Sequence, residues 1–358
     1  MTDGLILVCR EGFEQALREE VLSRTGLQGS SEARLAMPRA GLVEVQGAAA
    51  HAVRRFGVRR LAFARQWLER AGWVSGAPGA SPLPAAELIA PLAATQRAWT
   101  LHAFGATAEG EDSLTAAAMA GQDAILAWAR DHAADVAARY VEPRRARDPE
   151  ALALQLCVTP TGAWHSLTRL RELLDPYPGG VHRKPFDPLA PSRSYLKIEE
   201  AFDVLGEEPR PGQRAVDLGA SPGGWTYAFL KRGCRVIAVD RGPLRLQGDF
   251  RDDRGVEHVL RDGLSYAPPR PWVPVDWLAS DMLQPPGRVL GMLRRWFDGR
   301  WMRRFVVNVK IPQDHPWTAL APLAEFLEGQ RGLEFRVRQL YHDRREVTVV
   351  GTLRSGRG

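Results

Sequence analysis

Residues 215–240 read AVDLGASPGGWTYAFLKRGCRVIAVD, and this stretch decides the fold. The apolar run 215–218 has the continuity of a strand buried on both faces. A glycine-rich turn follows over 219–224. Trp225, Ala228, Phe229 and the aliphatic stem of Lys231 then suit successive helical turns, and Gly233 stands where a helix closes. Residues 235–239 form a second apolar strand with Asp240 at its carboxyl end. The whole is a βαβ unit. Its turn lacks GxGxxG, so a dinucleotide pyrophosphate is not the indicated ligand. Asp217 and the glycine turn suit instead the amino-acid end of S-adenosylmethionine. An acid at the end of the next strand, Asp240, suits both ribose hydroxyls.

The chain on either side extends this unit into a doubly wound α/β domain. A helix begins near Ser194, a natural N-cap, with Leu196, Ala201 and Phe202 facing the core. Strands are expected at 256–260, 275–279, 305–309, 334–340 and 347–353, with helices at 289–297 and 317–329. Asp262 follows the first of these strands, where an α/β sheet of this kind meets an adenine. Asp281 ends the second and Lys310 the third, and Glu346 opens the last.

The N-terminal half reads as α+β. Residues 4–9, 41–45 and 61–67 look like strands, 11–24 and 49–56 like helices, and a strand near Leu35 completes a ferredoxin-like unit over 1–75. A Gly/Ser/Pro/Ala-rich stretch, 72–84, reads as a linker, and 106–111 as a polar turn. Helices at 85–94 and 114–139, the latter broken once, accompany strands at 98–104, 152–158 and 162–168, within a second unit over 85–172. His102, His132 and His165 are scattered there and form no ligand set. Five prolines between 174 and 193 forbid a helix or a central strand, so 173–193 reads as the connection to a domain over 194–358. Within it, Arg183 and Lys184 are either available to phosphates or simply solvated.

Composition narrows the function. No run of about 18 apolar residues is present, and residues 1–10 have no basic segment leading into an apolar one. The three cysteines, Cys9, Cys157 and Cys234, lie in or beside apolar runs and read as reduced, buried thiols of a cytoplasmic protein, with no metal site expected. The formal charge of +6 tilts toward a polyanionic partner. Only Lys184, Lys197, Lys231 and Lys310 are lysines; the other 44 of the 48 basic residues are arginine. A lysine kept against that bias can do what arginine cannot, which is lose its proton.

Lys197, Asp281, Lys310 and Glu346 are the candidate constellation. Ligands of open α/β sheets bind at the carboxyl ends of strands, where these residues are expected to converge. A ribose hydroxyl is a very weak acid, so attack by it needs a base or an oriented hydroxyl. A lysine beside another cation and partly desolvated has its pKa lowered, and carboxylates orient the amines. Methyl transfer asks for little beyond in-line alignment.

This pattern resembles the K-D-K-E tetrad of the RrmJ/fibrillarin-like ribose 2′-O-methyltransferases. Whole stretches extend the resemblance: PSRSYLKIEEAF (191–202), AVDLGASPGGWTY (215–227), SDM (280–282), NVKIP (308–312), RQLYHDRREVTV (338–349) and, more loosely, GFEQALREEV (12–21). Together they look like the bacterial large-subunit (23S) ribosomal RNA cytidine 2′-O-methyltransferases. The resemblance implies a Rossmann-like methyltransferase domain behind a ferredoxin-like unit and a THUMP RNA-binding domain. It implies 23S ribosomal RNA as partner, a monomeric protein, and S-adenosyl-L-methionine as cofactor. Lys310 would be the proton acceptor beside Lys197, Asp281 and Glu346. Ser194, Ser221, Pro222, Gly223, Gly224, Asp240, Asp262 and Asp281 would line the cofactor, with Asp262 on the adenine amino group. Ser221 departs from the resemblance, because close relatives carry cysteine there.

Two rivals remain open at this stage. Base N-methyltransferases carry Asn/Asp-Pro-Pro-aromatic after the fourth strand, where this chain reads Ser280-Asp281-Met282-Leu283. A non-catalytic RNA-binding assembly factor would keep the fold but has no need of the tetrad. Residues 294–304 interleave arginine with tryptophan, which suits either RNA contact or a helix end with Trp296 and Trp301 in the core.

Overall fold

The computed structural model of the protein describes residues 4–30, 34–76, 84–107, 114–182, 184–250 and 254–354. Arg183, most of the 72–84 stretch and most of the 106–111 turn lie outside them. The chain divides into two compact units, Met1–Val181 and His182–Gly358.

The first unit begins with β1 (Leu5–Val8), α1 (Glu14–Thr25), β2 (Arg34–Arg39), β3 (Leu42–Gln46), α2 (Ala48–Phe56) and β4 (Gln66–Glu69). These strands form an antiparallel sheet of order β2-β3-β1-β4. The connectivity β-α-β-β-α-β is that of a split βαβ unit. Helix α1 starts three residues later than its apolar spacing suggests and stops at Gly26, whose left-handed φ of 69° turns the chain away. The strand expected at 61–67 is confined to β4. The amides of Ala62 and Phe63 bond to the buried carboxylate of Glu20 at 2.7 and 3.1 Å, so they are not offered to a ladder.

The same unit continues with β5 (Gly72–Ser75), α3 (Ala85–Ala93), β6 (Trp99–Gly105), α4 (Thr115–His132), α5 (Ala134–Ala137), β7 (Leu152–Thr159) and β8 (Gly162–Arg169). A second sheet runs β5-β8-β7-β6, with β6 and β7 parallel. Residues 72–75 are therefore a strand rather than the start of a linker; Trp73 pairs with Trp164 across the ladder and their rings meet at 5.0 Å. The two sheets share an apolar cluster of Ile6, Val8, Leu42, Leu68, Phe104 and Cys157, which makes 1–75 and 85–172 parts of one compact unit. His102 is fully buried there, and burial pushes its pKa down to about 4, so it is a neutral core group.

The second unit contains α6 (Tyr195–Leu205), β9 (Arg214–Leu218), α7 (Gly224–Leu230), β10 (Arg235–Val239), β11 (Val256–Val259), β12 (Val275–Gln284), α8 (Pro286–Asp298), β13 (Met302–Lys310), α9 (Pro316–Glu328), β14 (Leu333–Arg338) and β15 (Glu346–Leu353). Its sheet runs β11-β10-β9-β12-β13-β15-β14, parallel from β11 to β13, with β15 antiparallel to both its neighbours. Strand order reverses between β9 and β12, and that reversal opens the crevice in which such sheets bind ligands. Strand β12 runs five residues past its expected end, with irregular pairing between Ser280 and Gln284.

Helix α6 is fastened by its aromatic face. Phe202 meets Trp277 at 5.5 Å and Phe229 at 5.7 Å, all three fully buried. Burial of a side chain of that size contributes about 2–3 kcal/mol. Trp225 of α7 donates its indole N–H to the carbonyl of Ser194 at 2.9 Å and so fixes the start of α6. The hydroxyl of Ser194 caps nothing; it pairs with that of Ser192 at 2.8 Å.

The proline-rich connection is irregular, as its composition requires, but neither end of it is a free tether. In the first unit Leu173 and Leu174 are buried, and the Leu174 amide bonds to Gln66 at 3.0 Å. In the second, Lys184 pairs with Asp203 at 2.8 Å and donates to the carbonyl of Glu199 at 2.9 Å, so its charge is already engaged. Asp187 accepts from Tyr227 at 2.9 Å and from Lys231 at 2.5 Å. In the stretch 294–304, Trp296 is fully buried against the edge of Trp301 at 5.6 Å. Trp296 is a core residue, and Trp301 is partly buried beside it.

Candidate active site

Three of the four tetrad candidates meet. Lys197 lies one turn into α6, and its Nζ stands 3.6 Å from Oδ1 of Asp281 and 3.6 Å from Oε2 of Glu346. Asp281 reaches this point because β12 is bracketed by β9 and β13, which hold its carboxyl end in the middle of the sheet. Burial pushes the Asp281 carboxyl above the ordinary aspartate range, and Lys197 and the Asn308 amide pull against it. Glu346 opens β15 and accepts from the Arg344 amide at 2.8 Å. Lys310 ends β13 directly across the ladder from Glu346. Its side chain is exposed and makes no hydrogen bond or ion pair among the described residues. Of the two amines, Lys310 is therefore the unengaged one and Lys197 the pinned one.

The residues read as a cofactor cradle lie around the crevice. Asp217 is fully buried; its Oδ2 accepts from the Thr226 hydroxyl at 2.6 Å, while its Oδ1 has no partner among the described residues. Burial, with Asp281 and Asp240 nearby, pushes its carboxyl up to about 7. At the turn, Gly219 holds a φ of 77°, and a side chain there would collide with Met282. A Cβ on Gly224 would collide with Ser192 Oγ, so the helix start and the 192–194 segment approach backbone to side chain. Asp240 is anchored by the amides of Ser221 at 3.0 Å and Gly242 at 2.7 Å, which leaves each oxygen a further lone pair. The Ser221 hydroxyl donates to the Pro243 carbonyl at 2.9 Å, and the bond from Ser221 to Pro222 is cis. Asp262 is exposed and accepts from the Leu264 amide at 3.2 Å, heading a short turn through Gly263. Beside Asp240, an open cleft of about 820 Å³ is lined by Arg241, Arg245, Leu246 and His258 among others.

Sequence reading missed Asn308, which donates to Asp281 Oδ1 at 2.7 Å and is 1% exposed. Its signal was available: a polar residue inside an apolar strand, two positions before Lys310 and hence on the same face. It also missed Glu200 and Asp343. Asp343 is fully buried and accepts from the Leu340 amide and the Thr348 hydroxyl, each at 3.0 Å, and burial pushes its carboxyl up to about 8.

Residues 190–289 match the FtsJ-like methyltransferase family. The chain is 32% identical over 358 residues to "Ribosomal RNA large subunit methyltransferase M" of Xanthomonas oryzae pv. oryzae (strain PXO99A), covering 97% of this chain and 98% of that protein. Proteins of the same name match at 43% over 182 residues in Alkalilimnicola ehrlichii, 49% of each chain. In Laribacter hongkongensis one matches at 44% over 185 residues, 49% of this chain and 51% of that one. A relative this similar along the whole chain places the protein in the family of ribosomal RNA large subunit methyltransferase M.

Proposed function

We propose that the protein methylates the 2′-hydroxyl of a cytidine in 23S ribosomal RNA, using S-adenosyl-L-methionine, as a cytoplasmic monomer. The observation that carries this reading is the convergence of Lys197, Asp281 and Glu346, with Lys310 across the ladder from Glu346, at the carboxyl ends of the strands. The crevice fits the cofactor. A buried carboxylate oxygen without a partner is costly in a folded protein, and Asp217 Oδ1 is suited to an ammonium group. The cofactor supplies an electrophilic methyl on a sulfonium. Asp217 and the backbone of Ser221, Pro222, Gly223 and Gly224 would hold its amino-acid end. Ser194, beside that turn, would close the crevice. Asp240 would take the ribose hydroxyls and Asp262 the adenine amino group.

At the reacting oxygen, Lys310 takes the proton, because it is the amine whose Nζ is not engaged. Lys197, held between Asp281 and Glu346, keeps the two carboxylates in place, and Asn308 orients Asp281. The ferredoxin-like unit and a THUMP-like domain over 85–172 would bind RNA and present the target nucleotide.

Methyl transfer from labelled cofactor to protein-free large-subunit RNA, with the label mapped to ribose or base, tests the reading. Ribose label supports it. Base label points to N-methylation, and RNA binding without transfer points to an assembly factor.

Asp217 gives a second test. An ammonium ligand needs the ionised carboxylate, and in the free protein that group ionises only near pH 7. Affinity for S-adenosylhomocysteine, measured by calorimetry, is expected to rise about tenfold between pH 5.5 and 7. In Asp217→Asn the rise is expected to vanish and binding to weaken.

A further inference from the structure

Glu200 is a buried acid that the proposed reaction does not use. It is 3% exposed, on α6, three residues after Lys197 and so on the same face of the helix. A carboxylate in that position must be met by donors. It is met by three, all from the loop between β14 and β15. The Tyr341 amide bonds to Oε1 at 2.7 Å, the His342 amide to Oε2 at 3.2 Å, and His342 Nδ1 lies 2.8 Å from Oε2. The same loop delivers Glu346. Its far end is bonded onward by Gln339 to the Arg344 carbonyl at 3.1 Å, by the Arg344 amide to Glu346, and by the Ile311 amide, next to Lys310, to the Arg345 carbonyl at 3.0 Å. One helix therefore carries both the amine that Glu346 approaches and the carboxylate that grips the loop on which Glu346 is mounted.

We infer that Glu200 is a positioning residue: by clasping residues 341 and 342 it sets the distance of Glu346 from Lys197 and, through the β13–β15 ladder, the surroundings of Lys310. This rests on the methyl-transfer reading. Without the clasp the loop loses its registration on α6, and Glu346 withdraws from Lys197 while β13 and β12 stay in place. The maximal rate then falls through misplacement of the reacting groups, while binding of RNA and cofactor is retained.

The test compares Glu200→Gln with Glu199→Gln. Glu199 is the neighbouring buried acid on the same helix, but it grips Arg232, at 2.6 and 3.0 Å, and not the loop. Methyl transfer from labelled S-adenosylmethionine to protein-free large-subunit RNA is followed over a range of RNA and cofactor concentrations, beside thermal melting. Glu200→Gln is expected to lower kcat by about 30-fold, within the range of a small misplacement of reacting groups. KM for RNA and cofactor should stay within about threefold. Glu199→Gln is expected to lose similar thermal stability with kcat close to wild type. Where Glu200→Gln does not fold, Glu200→Asp, too short to span the same contacts, is expected to show the same loss. Equal kcat in the Glu200 and Glu199 variants, or a KM that moves as much as kcat, overturns the inference and leaves the methyl-transfer reading intact. Absence of transfer by the wild type overturns both.

Discussion

Lys310→Met is expected to lower methyl transfer by about a thousandfold, the scale of a lost general base, with folding and RNA binding retained. The side chain is exposed at the end of β13 and makes no ion pair among the described residues. Its removal leaves no buried partner stranded, and stability should stay within about 0.5 kcal/mol of wild type. One fewer surface cation should weaken RNA affinity by less than about tenfold at fixed salt. Lys310→Arg separates the two things a lysine can supply. Arginine keeps the positive charge and cannot give up its proton near neutral pH. If Lys310 accepts the ribose proton, the arginine variant is as inactive as the methionine one. Wild-type rates in Lys310→Arg would assign the residue to charge stabilisation and move the proton transfer elsewhere. The measurement is single-turnover transfer of labelled methyl, with filter binding of RNA alongside.

Lys197→Met is expected to act on stability as strongly as on activity. Its Nζ stands between two carboxylates whose side chains are 16% and 14% exposed, Asp281 and Glu346. Removing one member of such a cluster leaves uncompensated charge in a poorly solvated place, which costs about 3 kcal/mol. The cost depends on pH. Lys197 lowers the Asp281 carboxyl against a rise caused by burial. Without the lysine, the folded-state value climbs further above the unfolded one. The variant then stays close to wild type below the unfolded aspartate value, where the group is protonated in both states. It loses stability as pH rises through the raised folded-state value. Urea unfolding at pH 5 and pH 8.5 should show the variant closer to wild type at the lower pH. An equal deficit at both would mean that the carboxylates had found other partners. Methionine conserves much of the lysine stem, so the deficit reports charge more than packing.

The two variants differ because the structure separates two lysines that composition alone presents alike. Both are rare bases in an arginine-rich chain. What distinguishes them is distance to carboxylates from other elements, which depends on α6 crossing the ends of β12 and β15. The same holds for Glu200. On the sequence it is one of two adjacent acids in a helix, with nothing to separate it from Glu199. In the fold the two point to different partners, Arg232 and the 341–342 loop, because adjacent helical residues are rotated by about 100°. Asn308 lies between these cases. A polar residue in an apolar strand is visible in the sequence, but its partner is not.

Elements that follow from short-range chemistry were legible. The βαβ unit over 215–240 declares itself by apolar runs, a glycine turn and a helix stop, all within reach of local forces. The core strands β9, β10 and β13 read as apolar runs because they are buried on both faces. Elements that depend on a distant partner were not legible. β5 exists because β8 offers it a ladder, and residues 62 and 63 are kept out of one because Glu20 takes their amides. The connection near 184–193 looked like a tether because prolines forbid regular structure. It is fastened because Lys184 and Asp187 find Asp203, Tyr227 and Lys231.

The class of the second unit, the crevice at the ends of its strands and the residue types gathered there are written in local sequence. Those follow from periodicity, turn chemistry and the rule that open parallel sheets bind at their carboxyl ends. Only the tertiary structure decided which lysine is held and which is free, which acids are buried, and which loop sets Glu346. Ion pairing and desolvation depend on distances between groups far apart in the chain, and no local pattern encodes those distances.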